Sequence, residues 1–281
     1  MGRDTGISWT DHTFNPWWGC ARVSPGCENC YAETFSKRIG LSVWGAKSER
    51  RFFGDKHWAE PLKWERDAVK AQERRRVFCA SMADVMEDRR DLDDARHLLW
   101  DLIAITPHLE WQILTKRPEN FGKLLPGAWT MGRPPENVWL GVTAENQATA
   151  DERIPLLLQT PAAVRFVSYE PALGPVDFTK MRILGHTLDA LRGEWCANET
   201  GCLVDDKGDG SIDWIIVGGE SGPGARPFVV AWARETIRQC KAAGVPCFYK
   251  QGGFSNRCPH DAKGGHLECM PEDIRIREFP A

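Results

Sequence analysis

No stretch of this chain reaches about 18 consecutive apolar residues, the length of a membrane-spanning helix, so none is expected to cross a bilayer. No charged-then-apolar leader with a small-residue cleavage site opens it, and the expected location is the cytoplasm. A large charge of either sign is also missing. The net value of −3 excludes a global field for nucleic acid and leaves room only for a local basic groove. Internal repeats and low-complexity tracts are absent. Ten cysteines without an export signal argue for metal or redox use over a disulfide framework.

What is present is an ordinary globular balance. With 42% hydrophobic and 27% charged residues over 281 positions, the chain can bury one large α/β barrel or two modest domains. Short apolar runs recur, each ending in a polar or glycine-containing cluster: Arg76–Ala80, Leu109–Leu114, Asn137–Gly141, Ala163–Val167, Asp213–Val217 and Val245–Tyr249. Continuous apolar runs with such punctuation read as buried parallel strands. Helical periodicity alternates with them over Leu92–Thr106, Ala148–Gln159 and Val229–Ala243, the last stopping at Gly244 as a C-cap. One more strand near Thr13–Pro16 makes seven or so. The expected fold is α/β, a full or partial (β/α) barrel of parallel strands.

In such barrels the reactive groups sit at the C-terminal strand ends. Here those ends carry Ser81, Asp84, Thr115, Lys116, Arg117, Thr143, Glu145, Ser168, Glu170, Glu220, Ser221, Lys250 and Gln251. Residues 1–253 are expected to form the barrel, with 182–212 as an insertion in which Cys196–Cys202 and Asp205–Gly210 read as a hairpin or loop. Residues 254–281 are expected to be a Cys/His-containing extension in which Cys258, His260, His266 and Cys269 are candidate ligands of a second metal, with Cys196 and Cys202 as further candidates, or else unrelated thiols and surface histidines. The segment 43–76 is rich in Arg, Lys and aromatics, including Lys47, Arg50, Arg51, Phe52, Phe53 and Lys56. It is either a surface for a polyanion or a solvated face with core anchors.

The cysteines Cys20, Cys27 and Cys30 follow the first strand with the spacing Cys-x6-Cys-x2-Cys. A structural zinc site takes four protein ligands, and a cubane iron–sulfur cluster is usually held by four thiolates. Three thiolates would leave one iron open to another molecule. Gly19 and Gly26 let the backbone fold tightly there, and Pro25 stiffens it. Tyr31–Phe35 reads as helical, which places Cys27 and Cys30 near a helix N-terminus that favours thiolates. A zinc site completed by His12, Asp11 or a distant cysteine is the competing possibility. Trp17 and Trp18 are suited to excluding water beside Cys20.

A three-cysteine loop after the first barrel strand, its last cysteine followed by an aromatic as in Cys30-Tyr31, resembles the radical S-adenosylmethionine superfamily. More narrowly, six segments resemble a phage-associated three-cysteine family of unknown function. They are Trp9-Thr-Asp-His-Thr-Phe-Asn-Pro16, Pro25-Gly-Cys-Glu-Asn-Cys-Tyr-Ala32, Leu114-Thr-Lys-Arg-Pro118, Gly141-Val-Thr-Ala-Glu-Asn146, Ser168-Tyr-Glu-Pro171 and Gly218-Gly-Glu-Ser-Gly222. The first cysteine gap is six where the superfamily usually has three. The Gly-Gly-Glu element, which in the superfamily follows the second strand, here follows a later one.

The superfamily resemblance implies a [4Fe-4S] cluster on Cys20, Cys27 and Cys30, S-adenosylmethionine bound at the open iron, a reductant such as flavodoxin or ferredoxin, and a 5′-deoxyadenosyl radical that abstracts hydrogen from substrate. The methionine head group would need a carboxylate, from Glu220 or Asp84, and a cation, from Lys116 or Arg117. Ser81 and Thr115 belong to the same rim. Thr143, Glu145 or Asn146 would meet the ribose, and Ser168 to Pro171 the adenine. Gly218, Gly219 and Glu220 complete the cofactor candidates, and Glu170, Lys116 and Tyr169 are the catalytic ones. Phage association, and a likeness of Ser168-Tyr-Glu-Pro171 to DNA photolesion lyases, point to a nucleobase in DNA or RNA, as rearrangement of a hypermodified thymine or repair of a pyrimidine lesion. Two other readings stay open: a zinc-containing nucleic-acid-binding protein without redox chemistry, and a metal-free barrel hydrolase using Glu145, Glu170 or Glu220.

Overall fold

The structure, a computed structural model, describes residues 5–183, 186–196, 202–203, 210–221, 224–252 and 265–281. The chain divides into two units, Met1–Gly141 with Pro161–Ala163, and Val142–Thr160 with Val164–Ala281.

The first unit carries β1 (His12–Thr13), β2 (Arg75–Cys79), β3 (Leu109–Thr115) and most of β4 (Val138–Thr143). β1 pairs with β2 in parallel through His12↔Val77, and β2 pairs with β3 in parallel through Val77↔Trp111. Its helices are α1 (Tyr31–Arg38), α2 (Asp55–Trp58), α3 (Glu60–Ala71), α4 (Asp93–Ala104), α5 (Phe121–Leu124) and α6 (Gly127–Thr130). The core forms where the apolar runs predicted it: Val77, Cys79, Trp111, Ile113, Leu99 and Ile103 are all fully buried.

The second unit carries α7 (Gln147–Leu158), β5 (Val164–Tyr169), a four-stranded sheet of β6 (Met181–Ile183), β7 (His186–Asp189), β8 (Glu194–Cys196) and β9 (Cys202–Leu203), then β10 (Trp214–Gly218), α8 (Val230–Ala243) and β11 (Cys247–Gln251). β10 pairs in parallel with both β5 and β11. α7 starts at Asn146, whose side chain accepts from the Thr149 amide at 3.1 Å while the Thr149 hydroxyl accepts from the Asn146 amide at 3.2 Å, a capping box. α8 ends at Gly244 with φ +72°, the left-handed cap expected of it.

Main-sheet strand order is β1-β2-β3-β4-β5-β10-β11. The fold is α/β with seven parallel strands, the partial (β/α) barrel class expected from the sequence. β6 to β9 pair antiparallel in chain order, with Cys196↔Cys202 in register. The C-terminal extension does more than the sequence suggested. Ile276 and Glu278 bond to Tyr249 and Cys247 at 2.9 and 3.0 Å, laying residues 276–278 antiparallel along β11. The Phe279 ring packs on Trp214 and Phe248. Cys258 and His260, two of the candidate second-metal ligands, lie outside the described residues. Among the described residues no helix is long and apolar enough to cross a membrane.

Candidate functional site

In the first unit, the chain leaving β1 is fixed before it reaches the cysteines. The Asn15 side chain donates to the Ser81 hydroxyl at 3.1 Å and accepts from the Met82 amide at 2.7 Å, tying the loop after β1 to the loop after β2. Trp17 is fully buried under the Arg96 guanidinium, 5.8 Å from the ring centroid. Trp18 and Arg51 exchange backbone hydrogen bonds at 2.9 and 3.0 Å. Gly19 has φ +116°, and a Cβ there would lie 2.3 Å from the Val43 carbonyl oxygen, so this position takes no larger residue without backbone movement.

Cys20 follows. The Arg117 Nη1 donates to its sulfur at 3.6 Å and to Asp84 Oδ2 at 2.8 Å, and Nη2 donates to the Ala21 carbonyl at 2.7 Å. Asp84 is held in turn by the Thr115 hydroxyl at 2.7 Å, the Met86 amide at 3.0 Å and the Lys116 amide at 3.1 Å. The Thr115 hydroxyl accepts from the Arg117 amide, closing the ring. Burial pushes the Cys20 thiol up to about 12, the Asp84 charge adds to this, and Arg117 opposes it. Burial also works against the Arg117 charge, but Asp84 and Cys20 outweigh it and keep the guanidinium protonated.

Cys27 closes a single 3-10 turn, with the Ser24 hydroxyl 3.9 Å from its sulfur. Cys30 is the N-cap residue of α1. Burial raises its thiol pKa; the Ala32 and Glu33 backbone N–H groups and the Lys116 charge pull it down, and Cys27 raises it. Glu33 takes a two-point bond from Arg22 at 2.8 and 3.0 Å and an ion pair from Lys37 at 2.7 Å, fastening the loop to α1. The Tyr31 hydroxyl donates to the Ser81 carbonyl at 2.8 Å. Consecutive residues at the end of β3, Lys116 and Arg117, thus act on Cys30 and Cys20 respectively.

Among the described residues no three His, Cys, Asp or Glu side chains stand together as a ready metal-binding group. The donor chemistry still fits a cluster. All three cysteines are free thiols on one loop, and donors or cations address two of them, as ligated thiolates require.

In the second unit the remaining candidates fall into three groups. Glu145 is fully buried and meets Arg153 at 3.2 Å, which also donates to the Thr143 carbonyl at 2.8 Å; Asn146 caps α7. These residues serve the start of α7. Glu170, at the end of β5, pairs with Lys250 at the end of β11 at 3.0 Å. A Cβ on Gly218 would come within 2.8 Å of the Glu170 carboxylate, and one on Gly219 within 2.9 Å of Phe228, so both glycines leave room for neighbours. Glu220 is bound by Arg226 through its side chain and, at 2.8 Å, its backbone amide. Ser168 is buried, and the Tyr169 hydroxyl, also buried, donates to the Gly174 carbonyl; burial raises its phenol pKa. The carboxylates proposed for a methionine ammonium, Asp84 and Glu220, are therefore each occupied by an arginine of the chain.

Two internal arginines fasten this unit. Arg50, read from sequence as part of either a polyanion surface or a solvated face with core anchors, is 5% exposed; it makes a two-point bond to Glu87 at 2.6 and 3.1 Å and donates to three carbonyls of residues 43–48. Arg96 is 2% exposed and clamps the Val85 and Glu87 carbonyls at 2.9 and 2.7 Å. The only sequence signal for Arg96 is a cation on the apolar face of α4.

A family described as protein of unknown function, DUF5131, matches residues 4–271. No curated protein matches the sequence. Among solved structures, a cysteine-to-serine mutant of spore photoproduct lyase is similar, with 16% identity over 61% of this chain and a TM-score of 0.41. The match spans 50% of that chain.

Proposed function

We propose, from the premise that the chain belongs to the DUF5131 family, described as protein of unknown function, that it is a radical S-adenosylmethionine enzyme whose [4Fe-4S] cluster is held by Cys20, Cys27 and Cys30. The observation that carries this reading is three free thiols on the loop after β1, with the Arg117 guanidinium donating to the Cys20 sulfur at 3.6 Å. Bound there, such a cluster supplies one-electron reduction of a sulfonium at an iron that lacks a protein thiolate.

The chain's own residues do the rest. Gly19 and Asn15 set the path of the loop, and Trp17 packs beneath it to exclude water. Burial raises the Cys30 thiol pKa, and the α1 N-terminal amides with Lys116 offset part of that rise. In the second unit, Glu170 and Lys250 offer a carboxylate and an ammonium to a zwitterionic or hydrogen-bonding ligand, and they are the catalytic candidates best placed for exchange because both keep some exposure. Tyr169 serves by packing between β5 and the Gly174 turn.

The proposed substrate is a nucleobase in DNA or RNA. Support comes from Arg51, exposed and stacked 5.0 Å from Trp18 and 5.4 Å from Phe53, with Phe52, Lys47 and Lys56 exposed beside it in sequence. A flavodoxin- or ferredoxin-type protein is the proposed reductant. The test is anaerobic reconstitution with iron and sulfide, then reduction with S-adenosylmethionine and DNA or RNA oligonucleotides. A brown protein that forms 5′-deoxyadenosine supports the reading. A colourless protein with stoichiometric zinc, or activity that survives replacement of all three cysteines by alanine, overturns it.

A further inference from the structure

We propose that Arg117 is a positioning residue for the Cys20 ligand: its guanidinium, aimed by Asp84, hydrogen-bonds the cysteine sulfur and raises the reduction potential of the cluster. This rests on the cluster reading above and adds the determinant of its redox poise.

The geometry separates this role from the one the sequence suggested. Recognition of a carboxylate by arginine uses two parallel N–H groups of the fork. Here Nη1 is divided between Asp84 at 2.8 Å and the Cys20 sulfur at 3.6 Å, and Nη2 reaches the Ala21 carbonyl at 2.7 Å. The guanidinium therefore faces the cysteine loop, and Arg117 is only 7% exposed. Asp84 cannot swing toward another cation cheaply, because the Thr115 hydroxyl and the backbone amides of Met86 and Lys116 all donate to it. The unit runs from the end of β3 through Asp84 and Arg117 to Cys20 as one closed set of hydrogen bonds.

Hydrogen bonds and nearby positive charge draw electron density from a ligating thiolate. They stabilise the reduced cluster more than the oxidised one, because the reduced form carries one more negative charge. Removing the donor at Cys20 must make reduction harder. It also leaves the Asp84 charge close to the sulfur and without its partner, which acts in the same direction.

The experiment compares wild type, R117K and R117M after anaerobic reconstitution, with R234M, a surface variant of the second unit, as control. Iron and sulfide per chain are measured, with the reduction potential from an EPR-monitored titration and folding from circular dichroism. Expected is a potential shifted to more negative values in R117M, a smaller shift in R117K, which keeps charge and loses the fork, and no shift in R234M. Should R117M fail to fold, R117K carries the test. Folded R117 variants that take up a cluster at the wild-type potential overturn the inference and leave the cluster reading standing. A wild-type protein that takes up no cluster overturns both.

Discussion

Lys250, at the end of β11, stands 3.0 Å from the Glu170 carboxylate at the end of β5, and both side chains keep partial exposure, 24% and 12%. A pair in that setting adds little to stability, about 1 kcal/mol or less. Replacing Lys250 by Met is therefore expected to leave the unfolding midpoint nearly unchanged. Turnover should fall at least about tenfold, the equivalent of ~1.4 kcal/mol of lost interaction with the reacting complex. Denaturant unfolding and product formation, measured on the same preparation, check the two halves separately. A variant that loses stability and keeps activity would mark the pair as structural.

The Arg50–Glu87 pair is the opposite case. Its side chains are 0% and 6% exposed, and three carbonyls of the 43–48 segment depend on the same guanidinium. Arg50→Met should destabilise the chain by about 3–5 kcal/mol, since it strands a buried carboxylate. Urea titration of R50M and of the double variant R50M/E87L checks this, and the double variant is expected to recover part of the loss.

Gly19→Ala tests the loop itself. The positive φ costs a side chain about 1–3 kcal/mol of backbone strain, and the added carbon collides with the Val43 carbonyl. Expected is lower stability together with reduced iron uptake on reconstitution. Full uptake in the variant would show that the path of the loop does not govern ligation.

His57 supplies a pH dependence. Its ring is stacked between Phe14 and Phe53, at 4.7 and 4.3 Å, with Nε2 2.8 Å from the Asn15 carbonyl. Burial lowers its pKa below the ordinary 6.5, against the pull of the Asn15 carbonyl. In the unfolded chain the ring takes up a proton from about pH 6.5 downward, while the folded chain resists until lower pH. This contribution is thus fully present above 6.5 and lost as pH falls toward the folded value. His57→Phe should flatten that part of the stability curve, as followed by urea unfolding between about pH 5 and 7.5.

How much of this was legible beforehand depended on the range of the interactions. β10 is legible because Trp214, Ile215, Ile216 and Val217 are buried on both faces, and α8 because Gly244 stops it. Asn146, a ribose candidate by resemblance, is the N-cap of α7, a role written in Asn146 and in Thr149 three residues on. The Arg117–Asp84 pair joins positions 33 apart and Arg50–Glu87 positions 37 apart. Charge patterning along the chain carries no record of such pairings. That is why two arginines expected at a surface or a cofactor turned out to be internal fasteners. The three cysteines were visible as a triplet; that Arg117, just past the end of β3, donates to the Cys20 sulfur was visible only once the strands were in register.

Residues 276–278 run antiparallel along β11, with Phe279 seated on Trp214 and Phe248. An unpaired strand edge is a template for another chain, and here the segment acts as a stopper on it. Deleting residues 276–279 would uncork the edge of β11 and bare two aromatic rings. The product should self-associate by strand addition at a rate set by concentration, and light scattering would follow it. Affinity tags and linkers joined close to Phe279 would pull on the same stopper, so fusion partners are better attached elsewhere.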